Sequence, residues 1–166
     1  PATLRRQRQM CIRDRSCFVG ASLGICGAVL QGLFRNPLAD PGLIGVSAGA
    51  ALGAAIAIVI LPPGLSGSLT GQLLLPISGI LGAFIVIMLL FSVTKGFGGH
   101  STTYLLLMGV AINAIVGVLI GVLTYISTNT ELRTLTFWTM GSFSGATWTL
   151  LLPASVAIMS SIGLLI

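Results

Sequence analysis

The chain has 166 residues, of which 55% are hydrophobic and 7% charged, and its formal net charge is +5. With a mean hydropathy of +1.06, this composition excludes a soluble globular domain, in which about a quarter of the residues are charged. An integral membrane protein remains, and its spans can be counted.

The first 16 residues stand apart. Five of the eight basic residues (Arg5, Arg6, Arg8, Arg13, Arg15) fall in "PATLRRQRQMCIRDRS". No small-residue cleavage site follows a short apolar core, as a signal peptide requires, and no aromatic or folded feature supports a nucleic-acid arm. Residues 1–16 read as a basic arm of non-native origin, ahead of a partial membrane domain at 17–166. The uncapped apolar end "SSIGLLI" adds to the reading of a fragment.

A helix crossing a bilayer needs roughly 20 mostly apolar residues. Five stretches qualify, at about 17–34, 43–61, 73–94, 103–126 and 147–166. Segments such as "ILGAFIVIMLLFSV" are apolar on every face, whereas strands of a membrane barrel alternate. The predicted fold is an all-α, polytopic transmembrane helical bundle.

Between the first two spans lies "RNPLADPG", residues 35–42. Pro37 and Pro41 each fix φ and restrict the residue before them, so this connection is stiff. Asp40-Pro41 reads as an N-cap followed by proline at the first helical position. Ser101, Thr102 or Thr103 offers the N-cap of the fourth span. In 127–148, Leu132, Leu135, Phe137, Trp138 and Met140 predict a short amphipathic helix, with Trp138 and Trp148 at the membrane interface.

Small residues recur every fourth position, a spacing that keeps them on one helix face. The stripes are Gly20, Gly24, Ala28 and Gly32 in the first span, and Gly45, Gly49, Gly53 and Ala57 in the second. Gly109, Asn113, Gly117 and Gly121 form the third stripe, in the fourth span. In lipid such faces let backbones approach and gain dispersion contacts. Gly45, Gly49, Gly53, Gly117 and Gly121 are therefore expected at helix crossings. Asn113 is a polar amide within a span and needs a partner or water. Either it joins two helices or it faces a wet path, and Ser47 and Thr124 are further pathway candidates.

Nothing in the sequence carries catalytic chemistry. Cys11, Cys17 and Cys26 lack metal-ligand spacing, no GxxxxGK[ST] phosphate loop is present, and His100 reads as a loop residue. No catalytic, cofactor-binding or metal-binding residues are expected.

"GASLGICGAVLQGLFRNPLADPGLIGVSAGAALGA" (20–54), "STTYLLLMGVAINA" (101–114) and "LRTLTFWTMGSFSGATW" (132–148) together closely resemble FecCD-type permeases of iron-siderophore, haem and cobalamin ABC importers. The resemblance covers about 18–166. It implies a ten-helix permease of the cell (inner) membrane, of which this chain would hold the second to the sixth helix. It also implies pairing with a second permease, usually as a homodimer, with cytoplasmic ATPase subunits and an extracytoplasmic substrate-binding protein. ATP hydrolysis would belong to the separate subunit, so the chain itself is not expected to be an enzyme. Residues matching Asn36 and Leu38, with those matching Thr102 and Thr103, would close the cytoplasmic end of the path.

Charge bears on orientation. With the arm, one side carries six Lys/Arg and the other two, Arg35 and Lys95; without it the count is one, Arg133, against two. Counted with the arm, the positive-inside rule would put the arm in the cytoplasm; counted without it, the rule agrees with the orientation the resemblance implies. The expected function is import of a ferric siderophore or a related chelate. The alternative is a membrane packing or assembly subunit without a substrate path, and the two separate on whether Asn113, Ser47 and Thr124 line a wet cavity or dry contacts.

Overall fold

The computed structural model describes residues 2–37, 39–61, 69–95, 102–142, 155–156 and 158–160. Its helices are α1 (Ala2–Phe34), α2 (Val46–Ile60), α3 (Leu69–Lys95), α4 (Thr102–Ile126) and α5 (Asn129–Met140). Segments Ile12–Phe34, Leu73–Lys95 and Thr102–Ile126 are long and apolar enough to cross a membrane, and Val46–Ile60 is a shorter apolar helix. The expected span at 147–166 lies largely outside the described residues, as do Leu38, His100, Ser101 and Trp148. Pro1–Val29 with Gly141–Ile166 form one compact unit and Leu30–Met140 another.

Two boundaries differ from expectation. Helix α1 does not begin at 17 but runs through the basic arm. No glycine or proline occurs between Ala2 and Val19, and Arg, Gln, Leu and Met are all good helix formers. Helix α2 does not begin at Pro41. Residues 41–45 are turns, the helix starts at Val46, and its N-cap is Gly45 at φ 92° without a side-chain cap. At 15 residues α2 is about 22 Å long, less than the hydrocarbon thickness of about 30 Å.

Helix α5 forms where the short amphipathic helix is expected, but of the expected apolar set only Leu135 is buried. It opens on a capping box: the Thr128 amide donates to Glu131 Oε2 at 2.8 Å, and the Glu131 amide donates to Thr128 Oγ1 at 3.4 Å. Leu135 is buried while Phe137 and Met140 are exposed. The Arg133 guanidinium lies 5.6 Å from the centre of the Phe137 ring, and Trp138 reaches Gly79 on α3.

Helices α2 and α3 are antiparallel. Contacts descend along α3 as they ascend α2, with Gly45 and Gly49 against Val86, Gly49 against Gly82, and Gly53 against Gly82 and Ser78. Those with Val86 are to its side chain, and those with Gly82 and Ser78 are backbone-to-backbone approaches. A Cβ on Gly53 would run into the Ser78 carbonyl oxygen, and one on Gly82 into the Gly49 carbonyl oxygen. Beside them a buried cluster of Phe34, Ala39, Ile44, Val86, Leu90, Ile112 and Val116 joins the end of α1 and the connection to α3 and α4. Ala39 and Ile44 belong to the non-helical connection, so this part of it is seated in the cluster, while Arg35, Pro37, Asp40 and Leu43 are exposed.

Candidate functional site

The site is the connection between α1 and α2, and it is built from consecutive tight turns. Helix α1 ends with the Asn36 amide donating to the Gln31 carbonyl at 3.1 Å and the Arg35 amide to Gly32 at 3.3 Å. This 6→1 and 5→2 pair is a Schellman motif. Its left-handed position is held by Arg35 at φ 47°, where glycine is the usual residue and a side chain costs about 1–2 kcal/mol. Pro37 follows at once and cannot continue the helix.

Each proline then occupies the second position of a turn. The Ala39 amide donates to the Asn36 carbonyl around Pro37, and the Leu43 amide donates to the Asp40 carbonyl around Pro41, both at 3.1 Å. Asn or Asp first and Pro second is the preferred chemistry of a type I turn. The Asp40 carboxylate adds a side-chain turn, its Oδ1 accepting from the Gly42 amide at 2.7 Å. Asp40 therefore caps a turn, not a helix. A third turn closes from the Gly45 amide to the Gly42 carbonyl at 3.2 Å. Gly45 then takes the left-handed conformation that redirects the chain into α2, and its carbonyl accepts the first helical bond, from Gly49 at 2.8 Å.

Helix α4 holds this arrangement. Asn113 Nδ2 donates to the Gly42 carbonyl at 2.9 Å and approaches the Leu43 carbonyl at 3.4 Å. One turn earlier, Gly109 makes room: a Cβ there would strike the Leu43 carbonyl oxygen. Asn113 stands eleven residues beyond Thr102, the start of α4, hence about 16 Å along the helix. Irregular backbone at the depth of a spanning helix's midpoint needs internal partners, because lipid offers none. Asn113 is that partner. Its Oδ1 is buried and accepts no hydrogen bond among the described residues.

The other expected site residues scatter. Asn36 and Thr102 are half-buried, and Thr103 and Ser47 are exposed. Thr124 Oγ1 donates to the Ile120 carbonyl of its own helix at 2.8 Å. Thr124 stands eleven residues past Asn113, about 16 Å further along α4, so the two do not form one site. Of the packing set, Gly45, Gly49 and Gly53 face α3, whereas among the described residues a Cβ on Gly117 or Gly121 meets nothing within 4 Å. Sequence reasoning missed Ser78 and Gly82 as the complementary face on α3. Their four-residue spacing was the available signal, hidden in a span that is apolar all round.

Against known sequences, residues 15–166 match the FecCD transport family. This chain belongs to the FecCD family. It is 45% identical over 148 residues to the hemin transport system permease protein HmuU of Yersinia pestis, covering 85% of this chain and 41% of that relative. The vitamin B12 import system permease protein BtuC of Photorhabdus laumondii is 43% identical over 130 residues, covering 78% and 37%. Among solved structures, an ABC transporter of metal-chelate type in an inward-facing conformation matches with a TM-score of 0.70 and 39% identity, covering 87% of this chain and 44% of that one. The FecCD chain thus spans about two fifths of the length of the relatives it matches. It is a multi-pass membrane protein of all-helical fold, and the family match extends across the connection, α4 and α5.

Proposed function

We propose that this chain is part of the permease subunit of an ABC importer that carries a metal chelate (a ferric siderophore, haem or cobalamin) across the cell (inner) membrane. The permease pairs with a second permease, with cytoplasmic ATPase subunits that hydrolyse ATP, and with an extracytoplasmic binding protein. The observation that carries this reading is the stiff, hydrogen-bonded connection held against the middle of α4 by Asn113. Non-helical backbone at that depth is tolerated where it is buried in protein or lines a wet cavity, and a transport path needs both a wall and a closing element. Asn36 and Leu38 form one side of the cytoplasmic closure and Thr102 and Thr103 the other. Ser47, exposed on the first turn of α2, faces the path. Counted without the basic arm, Arg35 and Lys95 against Arg133 favour a cytoplasmic closing end by the positive-inside rule.

The test is substrate efflux from loaded proteoliposomes containing the full-length permease and its ATPase, without ATP. Thr102→Gly combined with Thr103→Gly loosens the closure, and the vesicles leak haem, cobalamin or a ferric siderophore, whichever the system carries. Vesicles that stay tight to all three with this variant contradict the gate. Parent vesicles that import none of the three on adding ATP and binding protein contradict the transport reading and favour a packing or assembly subunit.

A further inference from the structure

The two halves of the proposed gate stand on different elements: Asn36 and Leu38 on the α1–α2 connection, Thr102 and Thr103 on the first turn of α4. We infer that Asn113 is a positioning residue that ties them together, so that the connection follows α4 as one body. The inference rests on the proposed transport reading for what the tie controls, but the tie itself is a separate, measurable contact.

Three observations carry it. Asn113 Nδ2 reaches two successive carbonyls of the connection, Gly42 at 2.9 Å and Leu43 at 3.4 Å, across about seventy residues of sequence. Among the described residues no other side chain donates to those two carbonyls. The shape supports the polarity. Gly109 and Asn113 are four apart on one face of α4, and the missing side chain at 109 lets the Leu43 carbonyl and the Ile44 Cα lie against the helix. The pull is also transmitted without slack. From Gly42 back to Asn36 the chain runs through the Asp40–Leu43 turn, the Asp40 side-chain turn and the Asn36–Ala39 turn, with a proline in each backbone turn. A shift of α4 that carries Thr102 and Thr103 therefore also carries Gly42, and with it the stretch that holds Asn36. Removing the carboxamide leaves the Gly42 carbonyl with only its turn bond from the Gly45 amide and takes the donor from the Leu43 carbonyl, and the connection parts from α4 while α2 keeps its own packing on α3.

That asymmetry is the test. In the full-length permease, with Cys11, Cys17 and Cys26 replaced by serine, a single reporter is placed either at Ala39 (Ala39→Cys), buried in the connection, or at Ala54 (Ala54→Cys), buried in α2. N-ethylmaleimide crosses bilayers, so its reaction rate reads burial and not sidedness. Asn113→Leu, similar in size but without a donor, speeds labelling of Ala39→Cys by about five- to tenfold, as expected for local opening after loss of one buried hydrogen bond. Ala54→Cys does not change. Asn113→Gln, which keeps the amide, restores part of the protection at Ala39→Cys. An unchanged rate at Ala39→Cys, or an equal rise at both reporters, overturns the tie, the latter because it shows general loosening. Should Asn113→Leu not accumulate, Asn113→Ala carries the same comparison. The outcome is independent of the gate. Faster labelling in vesicles that stay tight keeps the tie and removes its role in closure. Unchanged labelling alongside a leaking Thr102→Gly, Thr103→Gly variant does the reverse.

Discussion

Two stripes of small residues, alike in spacing, meet different surroundings. On α2, Gly49 and Gly53 lie so close to α3 that an added Cβ meets backbone: the Gly82 carbonyl oxygen at 2.7 Å for Gly49, and the Ser78 carbonyl oxygen for Gly53. On α4, Gly109 is pressed against the Leu43 carbonyl, but among the described residues a Cβ on Gly117 or Gly121 of the same stripe meets nothing within 4 Å. Small residues at four-residue spacing thus mark a face that can accept a backbone. Whether one arrives depends on a complementary face: α2 meets Ser78 and Gly82 of α3, and the first half of α4 meets the connection through Asn113. The stripe is a property of one helix, and the crossing is a property of two.

Substitutions along the two stripes sharpen this contrast. The largest effect is expected for Gly53→Leu. Its new atoms face a backbone carbonyl, which cannot rotate away, so the cost exceeds the roughly 1–3 kcal/mol typical of overpacking. Assembled protein should be lost, read as the disappearance of a monodisperse peak in detergent. If Gly53→Leu accumulates and melts like the parent, the α2–α3 crossing is wrong. Gly109→Ala should have an intermediate effect. One methyl displaces the Leu43 carbonyl and strains the bond to Asn113, for about 1–3 kcal/mol and a lower thermal midpoint with the fold retained. The smallest effect belongs to Gly117→Ala, in a helix interior where a Cβ meets nothing within 4 Å among the described residues. It should leave the midpoint unchanged or raise it by the propensity gain, up to about 1 kcal/mol. A loss at Gly117 as large as that at Gly53 would erase the distinction between the two stripes.

The same contrast explains what could be read before the structure was known. The spans at α3 and α4, the short helix α5, and the stiffness of "RNPLADPG" follow from composition, periodicity and proline chemistry, all local properties. The start of α2 does not. Asp40-Pro41 is equally good as an N-cap with proline at the first helical position and as the first two residues of a type I turn. The turn wins here because Asn113 and Gly109, about seventy residues away, hold the following carbonyls against α4. For Asn113 the sequence left two roles open, helix glue or pathway lining. The structure engages its amide nitrogen with the connection, a contact no local pattern encodes. Ser78 and Gly82 stayed hidden for another reason: α3 is apolar on every face, so no periodicity singles out the side that meets α2. Arg35 in a left-handed conformation was not foreseen either, because glycine is the residue that signals such a helix end.

The central claim is that a non-helical turn is seated at the midpoint of α4 and fastened there by the Asn113 carboxamide. Solid-state NMR dipolar recoupling tests this directly in the full-length permease in lipid, with nitrogen-15 in the asparagine side chains and carbon-13 in the glycine carbonyls. The 2.9 Å separation from Nδ2 to the Gly42 oxygen, with a carbonyl bond of about 1.23 Å, predicts a nitrogen-to-carbon distance of about 4 Å. That coupling should vanish in Asn113→Leu and persist in Gly117→Ala. A parent spectrum with no such coupling, placing the Asn113 nitrogen beyond about 6 Å from every glycine carbonyl carbon outside its own helix, more than a hydrogen bond can span, would contradict the account.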